Sequence, residues 1–262
     1  MADHDFSLDH ATLFKLHSRA VAHMRQQISA ERLCLIFGAG AGYDLGFPQW
    51  PALLDKLGDG LDGYTEAKAS AANEVIRAQL LVKLFEYDFN RGNPPPPLSE
   101  AASQKTHAAA LNSAWRNRIY DAIYRNVIID DEERFLEQHC YYKSFREVIK
   151  HSSVTITYNF DNSIERFLSA ARSAAEKTKR RGYTTIYDEN SQLPAITPVI
   201  YHPNGFLAHI KSEKPSTQLI LSEESFSEQL TDSIAGRHAV LNSELSQKTC
   251  LFIGCSLSVI VR

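Results

Sequence analysis

The sequence predicts an α/β fold: a parallel sheet with helices on both faces and a helical lobe inserted after the first strand. Three observations carry this. Short apolar runs bounded by charge or glycine, at Leu33–Phe37, 153–158 and Thr249–Ile253, read as buried strands. Helical patterns alternate with them, as a parallel sheet requires. From 64 to 150 strand character almost vanishes, and periodic helical stretches take its place. The chain therefore reads as a single domain over 1–262, with a core of 33–63 and 151–262 and a lobe of 64–150. At 262 residues it is long enough to bury a full core.

Residues 8–30 carry Leu13, Phe14, Leu16, Val21 and Met24 among polar residues and predict an amphipathic helix feeding the first strand. That strand runs into Gly38-Ala39-Gly40-Ala41-Gly42, then Asp44 and Gly46. Glycine opens backbone angles closed to other residues and leaves no side chain in a ligand's way. A strand ending so, with a helix beyond, can present N–H groups to phosphate. The spacing is not G-x-G-x-x-G, and a tight β–α turn that binds nothing would use the same residues. Trp50–Leu57 reads as the next helix, with Pro51 in its first turn, closed by Gly58 and Gly60.

In the lobe, helical patterns cover 66–89, 104–128 and 132–150, and Pro94–Pro97 form a stiff connector. The lobe reads as scaffold. After the strand at 153–158, Ile164, Phe167, Leu168 and Ala171 share one helix face. Lys177–Arg181 is basic and reads as a solvated loop. Further strands are expected at 183–187, 197–202 and 218–222, the last leading into a helix start at Ser222–Ser225. A helix is expected over 234–246 before the final strand and its turn, Gly254-Cys255-Ser256.

Apolar residues make up 44% and the net charge is −3, so no global attraction to nucleic acid or an acidic membrane exists. No apolar run approaches the roughly 18 residues of a membrane span. The N-terminus has neither the basic start nor the apolar stretch of a signal peptide. Cys34, Cys140, Cys250 and Cys255 form no C-x-x-C pair, which suggests reduced thiols in a cytoplasmic protein and no metal site.

In such a sheet, ligands sit at the carboxyl ends of the strands. Chemistry-bearing residues stand at four of those ends: Gly38–Gly42, Asn159 with Asp161, His202–Gly205, and Gly254 with Ser256. Asparagine offers a donor and an acceptor, and ionised aspartate offers acceptors, which suits the hydroxyls of a ribose. Capping competes for part of this set. Asn162 and Glu165 have the spacing of a capping box, and Asp161 suits the helix dipole. Asn159 sits too early to cap. His202 could act as a base or position a hydroxyl, while Pro203-Asn204-Gly205 is also ordinary turn chemistry.

Taken in order, these pieces resemble the sirtuin-like NAD-consuming family, in particular its bacterial antiphage branch, relatives of the Thoeris NAD hydrolase. The carrying residues are Phe37–Gly42, Gly46–Trp50, Leu53-Leu54, Thr157–Asp161, Ile164-Glu165, Tyr201–Leu207, Leu221–Glu224 and Phe252–Leu257. The resemblance implies a Rossmann-like NAD-binding core. Gly38, Ala39, Gly40, Gly42 and Asp44 would lie in the cofactor-binding turn, and Gly254 and Ser256 would contact the adenosine side. Asn159 would contact the nicotinamide ribose and help place the attacking water. Asp161 would support the site, His202 would act as catalytic base, and Asn204 would assist by hydrogen bonding.

Three departures stand out. Gly42 occupies a slot where relatives carry serine. Asn204 occupies the slot of the histidine that precedes glycine, so either His202 reaches the ribose from a shifted turn or the base is missing. Such a loss costs on the order of 10²–10⁴ in rate. No C-x-x-C zinc ribbon exists, which argues against a deacylase. The resemblance thus implies an NAD⁺ glycohydrolase of antiphage defence, with NAD as substrate and no metal, restrained by homo-oligomer formation, a protein partner or a further domain of a longer chain. A non-catalytic NAD or ADP-ribose sensor is the alternative, and a purely structural subunit a third.

Overall fold

The computed structural model describes residues 10–127, 141–152, 154–170, 182–187, 198–209, 219–222, 224–227 and 245–256. Helix α1 (His10–Ser29) leads into β1 (Leu33–Phe37), which ends in a 3-10 turn, Ala39–Leu45. Four helices follow: α2 (Trp50–Gly58), α3 (Tyr64–Ser70), α4 (Glu74–Gly92) and α5 (Ala101–Tyr124). Helix α6 (Tyr141–Lys150) precedes β2 (Val154–Thr157), and α7 (Ser163–Ala170) follows it. The chain closes through β3 (Thr184–Ile186), β4 (Val199–Tyr201) and β5 (Thr249–Ile253).

The five strands form one parallel sheet in the order β3-β4-β2-β1-β5. The chain moves from β1 toward β2 and later returns past β1 to β5. The C-terminal ends of β1, β2 and β5 therefore flank the reversal of strand order, where open α/β sheets hold ligands. Strand β1 is interior, paired on both sides, and all five of its residues are buried. This is why Leu33–Phe37 is apolar at every position instead of alternating. Leu33, Leu35 and Phe37 face Ile28 of α1, Ile149 of α6 and Ile164 and Leu168 of α7. Cys34 and Ile36 point to the opposite face, with Val154, Ile156, Ile186, Val199 and Leu245. Strand β5 is an edge and only half-buried, and Phe252 is exposed.

The lobe is joined to the sheet by a shared core. Leu53, Leu54, Leu57, Leu81, Ile119 and Ile123 pack in one cluster with Phe160 and Leu207 from the strand-end segments and Phe167 of α7. A polar knot pins α2, α3 and α4 together. Buried Arg77 donates to Asp55 and to the Tyr64 hydroxyl, and Lys68 donates to Asp55 at 2.6 Å. Arg118 of α5 donates to the carbonyls of Leu57 and Asp59, closing the end of α2.

Two expectations about elements need correction. The stretch 66–89 is not one helix. It breaks at 71–73, where Asn73 caps α4 by accepting from the Val75 and Ile76 N–H groups at 3.0 and 2.9 Å. The stretch 219–222 is not a strand. Ile220 donates one backbone bond to Asn204, and Ser222 then exchanges hydrogen bonds with Ser225. The basic run 177–181, Cys140, Leu257 and most of the helix expected over 234–246 lie outside the described residues. No described helix is long and apolar enough to cross a membrane.

Candidate functional site

Two of the four strand ends are built from backbone. After β1, the Gly38 N–H donates to Ile253 O and the Gly40 N–H to Gly254 O, both at 2.9 Å. The turn after β5 presses directly onto the turn after β1. A Cβ on Gly38 or Gly40 would lie 2.7 or 2.9 Å from Gly254 O. A Cβ on Gly254, whose φ is +62°, would lie 2.2 Å from Ala41 N. Close packing between two strand ends far apart in sequence is therefore what these glycines provide. Their N–H groups are used inside the protein. Gly42 is buried under Phe47, and a Cβ there would approach its ring at 3.1 Å. A serine in that slot would need Phe47 to shift. Ala39 is half-buried at the start of the 3-10 turn, while Gly40, Asp44, Gly254 and Ser256 are exposed along this rim.

The other two ends are built from side chains. Asn159, half-buried after β2, donates from Nδ2 to Gly38 O at 3.1 Å and so reaches the glycine half. Its N–H donates to Thr157 Oγ1 at 3.2 Å, and its carbonyl accepts from His202 Nδ1 at 3.0 Å. No described residue hydrogen-bonds its Oδ1. Asn204 is buried after β4 and donates from Nδ2 to Tyr158 O at 3.3 Å. Its Oδ1 is buried and unpartnered.

His202 is 1% exposed. Its Nδ1 faces a carbonyl, which only accepts, so that nitrogen carries a proton. Its Nε2 lies 2.9 Å from Glu165 Oε1, which also accepts from Thr185 Oγ1 at 3.1 Å. Burial works to lower the His202 pKa. The charge and hydrogen bond of Glu165, the Asn159 carbonyl and the charge of Asp161 outweigh it, and the net direction is up. Both nitrogens are thus engaged inside the protein. A general-base role would require one of these bonds to open.

Asp161 is fully buried and accepts from the Ser163 N–H at 2.9 Å, at the entry to α7. Burial pushes its pKa up, against the Ser163 hydrogen bonds and the charge of His202. The capping box expected from Asn162 and Glu165 does not form. Asn162 Oδ1 instead accepts from the His209 N–H at 3.1 Å, and the Asn162 N–H donates to the Tyr124 hydroxyl oxygen at 3.3 Å. Glu165 turns inward to His202. Tyr124 also donates to Leu207 O at 2.6 Å, and Tyr120 to His209 O at 2.7 Å, so α5 of the lobe braces the segment after β4.

Sequence reasoning read Glu165 as a capping residue, without its tie to His202, and passed over Tyr124. The available signal for Glu165 was its place beside Ile164, at the edge of the apolar stripe of α7. Tyr124 gave no comparable signal. Among the described residues no group of three His, Cys, Asp or Glu side chains is placed to hold a metal ion.

Residues 153–259 match the family model described as the SIR2-like domain. The matched span contains Asn159, Asp161, Glu165, His202, Asn204, Gly254 and Ser256, and begins well after the Gly38–Gly42 turn. No curated protein gives a match. Over 153–259 the chain is thus similar to the SIR2-like domain, and its parallel α/β sheet is consistent with that likeness.

Proposed function

We propose that this chain binds NAD across the C-terminal edge of the sheet and hydrolyses its nicotinamide–ribose bond, giving nicotinamide and ADP-ribose. The observation that carries this is the setting of Asn159. Its amide is anchored to Gly38 at one end, while Oδ1 has no partner among the described residues. That acceptor stands where the ends of β1 and β2 meet. The SIR2-like match over 153–259 points to NAD as the dinucleotide. The exposed, side-chain-free rim at Gly40 and Gly254 would let a pyrophosphate approach the backbone, with Ala39, Asp44 and Ser256 beside it.

Cleavage of this bond passes through an oxocarbenium-like state. Nicotinamide leaves with the bonding electron pair, water adds to the anomeric carbon, and the released proton passes to solvent. Catalysis then rests on placing ribose and water. Asn159 Oδ1 would accept from a ribose hydroxyl or the attacking water. Asp161 would support it by setting the entry to α7, and Asn204 Oδ1 offers a second buried acceptor close by. The resemblance of the Phe37–Trp50 and Thr157–Asp161 stretches to antiphage relatives makes a cytoplasmic defence effector the setting we favour. Assembly into an oligomer, a partner protein or the lobe would restrain it.

The engagement of both His202 nitrogens favours a second reading, a module that binds NAD or ADP-ribose without turnover. Nicotinamide release from excess NAD⁺, followed by chromatography with mass detection, separates the two. The hydrolase reading expects release by the wild type and a loss on the order of 10²-fold in Asn159→Ala. Release unaffected by Asn159→Ala would overturn the assignment of that residue. Calorimetric binding without release selects the second reading, and absence of both removes NAD from this site.

A further inference from the structure

Glu165 lies in the first turn of α7 and is 5% exposed. Its carboxylate meets His202 at 2.9 Å and Thr185 at 3.1 Å, and His202 in turn donates to the Asn159 carbonyl at 3.0 Å. Phe206 packs edge-to-face on the imidazole, with ring centroids 4.7 Å apart. Taking two charges out of water is costly, and an apolar pair of similar volume often stabilises a fold as well or better. Stability alone therefore gives little reason for an ion pair here. Its far end terminates on the backbone of Asn159, a strand-end residue whose side chain keeps an open acceptor among the described residues.

We infer that Glu165 is a positioning residue. Through His202 it fixes the peptide of Asn159 and thereby aims the Asn159 amide at the ligand. The inference rests on the NAD reading of this site and deepens it. The chain Glu165–His202–Asn159 ties α7 and β4 to the turn after β2. Asn159 is thus held on both sides, by His202 through its carbonyl and by Gly38 through its amide. Releasing the first hold leaves the amide to swing about the second.

The test is a double-mutant cycle on NAD affinity, measured by calorimetry on the full chain. Its four members are wild type, Asn159→Ala, Glu165→Ala and both together. Glu165→Ala is expected to weaken NAD about tenfold, an effect that acts only through the Asn159 side chain. The double variant should therefore bind within about twofold of Asn159→Ala alone. A purely structural role would lower the melting temperature but would multiply the two affinity losses, and that result overturns the inference. If Glu165→Ala does not fold, Glu165→Gln keeps the volume. It should cost severalfold in affinity when Asn159 is native and nothing further when combined with Asn159→Ala. No loss in Glu165→Gln, or multiplied losses, again overturns it. A wild type that fails to bind NAD overturns the reading of the site, and this inference with it, whereas binding with independent losses overturns this inference alone.

Discussion

The turns after β1 and β5 are held to each other by backbone, and the turns after β2 and β4 by side chains. In the first pair, Gly38, Gly40 and Gly254 approach so closely that no Cβ fits, and the amides close on Ile253 and Gly254 carbonyls. In the second pair, Glu165, His202, Asn159 and Asn204 bond to one another or to neighbouring carbonyls from buried or half-buried positions. The one side-chain bond joining the two halves among the described residues runs from Asn159 Nδ2 to Gly38 O, beside the backbone bond from Tyr158 N–H to Phe37 O. The contrast shows how one ligand edge can combine two kinds of order. The backbone half has a shape set by main-chain contacts. The side-chain half depends on a buried ion pair, and so on pH.

The largest effect should come from filling the backbone half. In Gly254→Val, the side chain must enter space 2.2 Å from Ala41 N, at a φ of +62° that a β-branched residue resists. Left-handed strain and overpacking each cost about 1–3 kcal/mol, so a loss of about 4 kcal/mol or more is expected. Urea denaturation would measure it. A loss below about 1 kcal/mol would show that the two turns can separate cheaply, and the contrast between rigid and adjustable halves would fail.

A smaller and reversible effect should come from pH. His202 has a folded pKa raised above its ordinary 6.5, by Glu165 first among the groups that oppose burial. Its contribution to stability is therefore fully present below about pH 6.5 and is lost as pH rises through the folded pKa. The groups facing it are Glu165, Asp161 and the Asn159 carbonyl. Asp161, also raised, acts in the same direction from a lower start near 3.8. In Glu165→Gln the counter-charge is gone and burial dominates at His202. The wild type should lose stability as pH rises above about 6.5, while the variant should show a flat or inverted slope. Parallel slopes in thermal melts across that range would mean that the pair does not govern the side-chain half.

Much of the frame was legible because its residues state their own surroundings. Leu33–Phe37 and Thr249–Ile253 form strands with the expected bounds, since a short run that is apolar throughout fits a parallel sheet. Asn159 was singled out because it stands too early to cap α7, and the structure puts it where two strand ends meet. What stayed hidden depends on partners distant in sequence. Gly38 and Gly40 are explained by Gly254, at the far end of the chain, so local reading could not separate close packing from a phosphate cradle. Glu165 satisfied a local capping pattern, yet its partner His202 follows β4. The break at 71–73 was obscured by the alanines just before Asn73, whose helical propensity masks a capping residue.

The finest probe of the contrast is Thr157→Val, which keeps volume and removes one acceptor. Thr157 is 1% exposed, and its Oγ1 receives the Asn159 N–H at 3.2 Å. The lost bond should cost about 1 kcal/mol, well below the penalty at Gly254, because Asn159 is half-buried and its amide can recover water. The carbonyl of Asn159 stays on His202 and its side chain on Gly38, so NAD affinity should fall less than in Asn159→Ala. Denaturation and calorimetry on the same preparation give both quantities. If this single methyl-for-hydroxyl exchange weakens NAD as much as Asn159→Ala does, the aim of Asn159 is set from within its own strand. The Glu165–His202 pair would then be a passive neighbour, and the side-chain half would be as locally determined as the glycine half.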